Sequence, residues 1–379
     1  VKQADEVVPC TGVAIVIFIF FLDLKTPKTP LWAGIKAIDW QGSLTVVGGT
    51  LMLLLGLEFG GITFPWKSAT VICLVVFGIL TMGLFLLNER FLAKYPVMPF
   101  HLFKSISNVA SLLVCFVHGF VFIAGAYYLP LYFQAVLSAT PILSGVYSLP
   151  FILVLSLTSG ACGAYIRKSG EYLWPIRIGL FLMTLGFGLF IYLPDHAEWG
   201  RIAPFLIIAG LGVGPNFQSP LIALQTGVPP RDIATAVATF AFTRNIATAM
   251  SVVIGGVIFQ NGMQKQLDTL SAALGPQTAK LLSGGSAGAH VDIAASLPED
   301  RRDVVRTAFT HALREMWILY VVVGFIGIII SMFIKGRVLS KLHEETKTGL
   351  EAEEVKRLAN KEARRKKAKD LEASAAVQK

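Results

Sequence analysis

The sequence predicts an all-α fold, that of a polytopic helical membrane protein, on three observations. Nine long apolar segments fill residues 7–334, and the best of them, 44–57, 69–87, 109–129 and 318–334, carry almost no formal charge. Hydrophobic residues make up 54% of the chain and charged residues 15%, where a soluble domain carries about 25% charge. The segments also lack the every-second-residue alternation of barrel strands. A bilayer core about 30 Å thick needs roughly 20 apolar residues per helical crossing. Only helices or closed barrels pair every backbone N–H and C=O inside it.

In chain order the crossings are predicted over 7–22, 43–59, 68–88, 109–137, 141–166, 173–193, 202–225, 232–259 and 316–334. The first is a short apolar run after a polar start. The others are set off by polar loops whose basic residues fix an orientation. With the basic tail taken as cytoplasmic, the inside loops are 23–42 (Lys25, Lys28, Lys36), 89–108 (Arg90, Lys94, Lys104), 167–172 (Arg167, Lys168) and 226–231 (Arg231). The outside loops 60–67, 138–140 and 194–201 hold only Lys67 and Arg201. Nine basic residues against two make the assignment self-consistent. It places the start of the chain outside, yet that start has no signal-peptide layout and begins at Val1. The expectation is a truncated chain, once preceded by an odd number of crossings.

Two polar pieces remain. The long outside loop 260–315 has Gly and Ser in its middle, 283–288, then a helical stretch over 298–314 with Val304, Val305, Ala308, Phe309 and Ala312 on its apolar face. Ser296 and Glu299 form a weak capping box for it. The tail over 342–371 mixes Glu with Lys and Arg, which suits a solvated helix; its 364–367 cluster could instead meet anionic lipid. Much of the net charge of +9 lies in residues 335–379. Without a basic groove or stacking aromatics there, it does not indicate a nucleic-acid partner.

Enzyme chemistry finds no foothold. Of Cys10, Cys73, Cys115 and Cys162, three lie within apolar segments, without metal-ligand spacing. There is no H-E-x-x-H, no phosphate-binding loop, no nucleophile elbow and no intramembrane carboxylate pair. No cofactor is expected.

Polar residues inside the crossings point elsewhere. In the stretch over 207–225, Gly210, Gly214, Gln218, Leu221 and Gln225 recur on one helical face. Small residues allow close packing and the amides can bond across the bundle or to a cargo. Pro215 and Pro220 should bend this helix. Arg244 lies twelve residues after Asp232, roughly 18 Å along the helix, where a cation costs at least about 2.5 kcal/mol. Thr248, Ser251 and Gly255 share its face, so it should point into the bundle, either toward a substrate or coupling pathway or toward carbonyls or a carboxylate. His118 lies at mid-depth with Gly125 and Tyr132 on its face. It is either an interhelical hydrogen-bonder or a proton or cargo contact. Glu58 should sit near the outer surface.

Several passages then carry a resemblance. They are Asp39-Trp40-Gln41-Gly42-Ser43 with Leu57-Glu58-Phe59-Gly60-Gly61, Pro96-Val97-Met98-Pro99 with Phe103-Lys104, and Tyr128-Leu129-Pro130-Leu131-Tyr132-Phe133-Gln134. To these add Ser144-Gly145 with Leu149-Pro150, Phe217-Gln218-Ser219-Pro220, and Phe242-Thr243-Arg244-Asn245. From about residue 12 to 341 the chain resembles helices six to fourteen of the fungal 14-span drug:proton antiporters of the major facilitator superfamily, toxin and multidrug efflux pumps. The resemblance implies a partial major facilitator fold. Residues 1–22 would be the remnant of the last helix of an N-terminal half. Residues 23–108 would hold two linker helices and a cytoplasmic loop, 109–334 a C-terminal six-helix half with its extracellular loop 260–315, and 335–379 a basic cytoplasmic tail. The stretch over 163–168 resembles a degenerate copy of the basic loop found in the first half.

It further implies proton-gradient-driven efflux of amphipathic drugs or toxins, in a fungal membrane expected to be the plasma membrane. The partners would be the lipid bilayer, the cargo and a missing N-terminal half. The candidate pathway residues are Arg244, Gln218, Gln225, His118, Tyr132, Gln134 and Asn216; Gly210, Gly214, Pro215, Pro220 and Pro150 are candidate packing or hinge positions. A membrane fragment or scaffold with no transport of its own is the other reading.

Overall fold

Backbone groups in so apolar a chain have one local solution, the helix, and side-chain caps at Asp39, Ser68 and Thr140 open three of them. The computed structural model describes residues 38–337 except 61–62, 93–97, 99, 230–231, 292 and 294–296, together with Trp32, Ile35 and Lys36. The chain divides into two units, residues 1–38 with 345–379, and residues 39–344. In the first, Trp32, Ile35, Lys36 and Ile38 are exposed, and Ile38 N donates to Ile35 O. The expected crossing over 7–22 and the basic tail beyond 337 lie outside the described residues.

In the second unit, α1 (Trp40–Phe59) starts where the Asp39 carboxylate accepts from Gly42 N at 2.8 Å. Helix α2 (Ala69–Leu87) starts at Ser68, whose hydroxyl accepts from Val71 N. The two form a hairpin whose ends are tied together, because Asn88 Nδ2 donates to Asp39 Oδ2 at 2.8 Å. Gly49 lies against the α2 backbone and Gly78 against Leu53, the close small-residue contact that membrane helices use. A π turn (Asn88–Leu92) and a 3₁₀ turn (Phe100–Lys104) lead to α3 (Ile106–Ala135).

Helix α3 is the most buried of the bundle's spans. It packs against α9 (Ile233–Lys265), α12 (Glu299–Ser331) and the short α8 (Ser219–Gln225). Between them run α4 (Pro141–Tyr147), α5 (Leu149–Ser169), α6 (Leu173–Phe190) and α7 (Trp199–Val213). Thr140 caps α4 with Pro141 in its first turn, and Gly170, at φ 75°, ends α5 in the left-handed conformation. Helix α6 packs against α7 and α12, α5 against α7, and α1 against α9. Among the described residues there is no strand, and eight helices are long and apolar enough to cross a membrane.

Three expectations are corrected. The crossing over 141–166 is two helices meeting at Ser148, just before Pro150. The expected soluble helix over 298–314 and the crossing over 316–334 are one unbroken helix, α12. Arg314 and Glu315 do not interrupt it, because Arg314 lies over the Tyr192 ring at 5.8 Å and Glu315 pairs with Lys265 at 2.8 Å. That helix opens at Glu299 with Pro298 as its N-cap, so Glu299 is not the third helical residue that a capping box at Ser296 requires. The 260–315 region is a small apolar cap: α10 (Leu267–Leu274), α11 (Pro276–Leu281) and a 3₁₀ turn (Gly284–Ala289) bury Leu270, Ala279, Leu282 and Ala287 beside Val305 and Phe309.

Loop ends sort by hydrogen bonds. Arg337 Nη1 donates to Thr226 O at 3.0 Å, and Tyr172 Oη donates to Lys335 O at 3.0 Å. The turns over 167–172 and 226–229 and the end of α12 therefore share one end of the bundle. The loop over 191–198 lies at the other, where Tyr132 Oη donates to Pro194 O. There His196 bonds Asp195 and holds its carboxyl below the usual carboxylate range.

Candidate functional site

The site begins with two missing backbone donors. Pro215 cannot bond the carbonyl of Leu211, nor Pro220 that of Asn216. Helix α7 therefore tightens into a 3₁₀ turn over Gly214–Phe217 before α8 resumes. Inside a bilayer a broken helix needs bracing from within the protein, and side chains supply it at carbonyls beside the break. Asn216 Nδ2 donates to Gly212 O at 3.3 Å, Ser219 Oγ to Pro215 O at 2.7 Å, and Thr158 Oγ1 of α5 to Gly210 O at 3.4 Å. Gly210 and Gly214 bring this stretch against α5. A Cβ at 210 would meet Phe151 O at 2.7 Å, and one at 214 would overlap the Thr158 hydroxyl.

The two remaining clamps are ionisable. His118 Nε2, from α3, donates to Val213 O at 3.0 Å, and Arg244 Nη2, from α9, donates to Phe217 O at 2.9 Å. Aromatic rings enclose both. Phe217 meets His118 edge-on at 4.8 Å and Phe122 at 4.9 Å, while His118 stacks on Phe122 at 6.1 Å. The Arg244 guanidinium lies 5.2 Å over Phe217 and 5.0 Å over Phe240. Gly119 leaves room for the arginine, since a Cβ there would sit 3.2 Å from Arg244 Cγ.

Magnitudes explain how the charge is tolerated. A hydrogen bond from a charged group contributes about 1.5–3 kcal/mol, and each ring about 0.5–2 kcal/mol depending on desolvation. Together these match the insertion cost of at least about 2.5 kcal/mol. Among the described residues no carboxylate pairs with Arg244. Of the two alternatives for its contacts, the structure shows carbonyl and rings.

The cluster keeps unused hydrogen-bonding capacity. Because Nε2 of His118 faces a carbonyl, it carries the hydrogen, and in the neutral tautomer Nδ1 then holds a bare lone pair. Nδ1 of His118, Oδ1 of Asn216 and Nε of Arg244 are buried with no protein partner. His118 and Asn216 are fully enclosed and Arg244 is half-buried. Between α3 and α9, on a face of α9 that Arg244 does not line, is an apolar pocket of about 220 Å³ lined by Phe103, Phe116, Phe242 and Ile246 among others.

The structure thus gathers Arg244, His118 and Asn216, with Gln218 exposed next to Phe217. It does not bring in the other three pathway candidates. Tyr132 is bonded to the 191–198 loop, and Gln134 Nε2 donates to Ser144 Oγ at 3.1 Å near α4. Gln225 lines a separate pocket at the opposite end. Pro150 and Pro220 sit in the first turns of α5 and α8. Sequence reasoning missed the rings: Phe240 is one helical turn before Arg244, a spacing that could have pointed to it, and Phe217 stood in a quoted passage without a role.

Known proteins match this chain closely. The family model for the Major Facilitator Superfamily matches residues 35–252. "MFS-type transporter ppz2" of Metarhizium majus is 51% identical over 349 residues, covering 92% of this chain and 60% of the relative. "Efflux pump dotC" of Dothistroma septosporum is 49% identical over 364 residues, covering 96% and 62%. An "MFS-type transporter" of Aspergillus terreus is 42% identical over 366 residues, covering 95% and 66%. The chain spans about three fifths of the length of the curated relatives it matches. The family match takes in most of the bundle, including the interrupted helix and its clamps, and on that footing the chain belongs to the Major Facilitator Superfamily, a family of membrane transporters and not of enzymes.

Proposed function

We propose that the chain is part of a secondary active transporter that expels amphipathic small molecules, drugs or fungal toxins in exchange for protons, within the 14-span drug:proton antiporter group. The observation that carries this is the interrupted helix beside whose break an imidazole bonds Val213 O and a guanidinium bonds Phe217 O. Transporters place binding at broken helices near the bilayer midplane, and polar groups held there are functional by default. Arg244 is the residue nearest the cargo path, and the bare Nδ1 of His118 is the proton-accepting group. The apolar pocket between α3 and α9 suits amphipathic cargo. The Dothistroma relative's name, an efflux pump, supports the outward direction.

In this reading residues 1–22 close an N-terminal half, 23–108 carry the linker helices, and 109–334 form the second half with 260–315 outside. Residues 335–379 face the cytoplasm, and the membrane is the plasma membrane. Two halves rocking about a shared site form the cavity. A membrane scaffold without transport is the second reading. Liposomes with an imposed proton gradient and a fluorescent amphipathic drug separate them. The 379-residue chain alone should not accumulate drug, whereas the chain preceded by the N-terminal region of the Dothistroma relative should. Failure of both leaves the scaffold; accumulation by the chain alone would show that two copies complete a cavity.

A further inference from the structure

A pocket of about 850 Å³, lined by no residue of the His118–Arg244 cluster, opens where the α5–α6 turn, the end of α8 and the end of α12 meet. Its wall is apolar at Ile166, Leu173 and Ile222, while its rim carries Arg167, Lys168 and Arg337 against one carboxylate, Glu171. The rim is braced. Arg337 N donates to Tyr172 Oη at 2.8 Å, and its guanidinium is fixed on Thr226 O. Among the described residues none of the three cations is in an ion pair. Trp174, 59% exposed, stands beside them. Three crossings end at this level, so the pocket lies at the boundary between hydrocarbon and water, where tryptophans gather.

We infer that this pocket binds the phosphate headgroup of an anionic phospholipid. Basic pockets between membrane helices at this level hold phosphorylated headgroups, each cation contributing about 1 kcal/mol, or about fivefold in affinity. The cations take the phosphate and the apolar wall takes the glycerol end of the chains. Free phosphate has the same charge chemistry but leaves that wall and Trp174 unused.

The test uses the 379-residue protein in phosphatidylcholine nanodiscs with a trace of photoreactive phosphatidylserine, followed by peptide mapping. Crosslinks should fall within 163–174 or beside Arg337 and be displaced by unlabelled phosphatidylserine but not by phosphatidylcholine. The triple variant R167Q/K168Q/R337Q should weaken labelling by about a hundredfold, at about fivefold per cation, while K67Q leaves it unchanged. Labelling indifferent to the triple variant, or spread evenly over α1 and α2, would overturn the inference. Displacement by inorganic phosphate as effective as that by phosphatidylserine would overturn it too, and assign the pocket to a soluble anion.

Discussion

Replacing Gly212 by alanine should loosen the α6–α7 contact and lower the stability of the whole bundle. An ideal Cβ at 212 meets Met183 N, Leu182 C and Met183 Cα, all backbone atoms of α6. No side chain can swing aside, so the helices must separate. Overpacking of this kind costs typically about 1–3 kcal/mol, and a clash with backbone belongs at the upper end. The exchange also gains about 1 kcal/mol of helix propensity, which leaves a net loss of about 2 kcal/mol. Gly160→Ala is the internal control, because a Cβ there meets nothing within 4 Å and only the propensity gain remains. Denaturant titration in mixed micelles reads the difference, expected to be about 3 kcal/mol between the two variants. Gly212→Ala as stable as the parent would refute the claim that this glycine sets the helix separation.

Two further outcomes are expected. A tag near Gly284 should be labelled on intact cells and a tag after Lys379 only after permeabilisation; the reverse pattern would contradict the sidedness drawn from basic loops. His118→Phe keeps the ring volume but leaves Val213 O without its donor, so about 1 kcal/mol of stability should go, with part recovered in His118→Gln; equal stability of all three proteins would mean that this bond is idle.

Much of the bundle was legible because apolar length is set by the bilayer. Segments 43–59, 68–88, 173–193 and 202–225 coincide closely with helices or helix pairs of the structure. The errors arose where a helix outruns the membrane or breaks inside it. Helix α12 passes from the apolar cap into the bilayer without a break, because hydrogen bonding along its axis is indifferent to the change of solvent. Charge at Arg314 and Glu315 marks that change and not a helix end. The joint at Ser148 was signalled by Pro150, which favours a first turn as much as a bend.

Site residues were legible one at a time but not as a set. Arg244 and His118 stood out as polar groups at mid-depth, and Pro215 announced the break. That both side chains converge on carbonyls beside that break is a tertiary fact, as is the placing of Gln225 in a separate pocket. Helical spacing relates residues on one helix and is silent about which faces meet.

The central claim is that the clamp on the interrupted helix belongs to the transport path. Drug efflux per molecule at the membrane, compared between Arg244→Ala and the parent in the chain completed by the Dothistroma relative's N-terminal region, tests it most directly. The account predicts efflux at the level of empty liposomes with membrane abundance near that of the parent. Undiminished efflux, or a collapse of abundance that accounts for the loss, would contradict it and leave Arg244 as a structural tie.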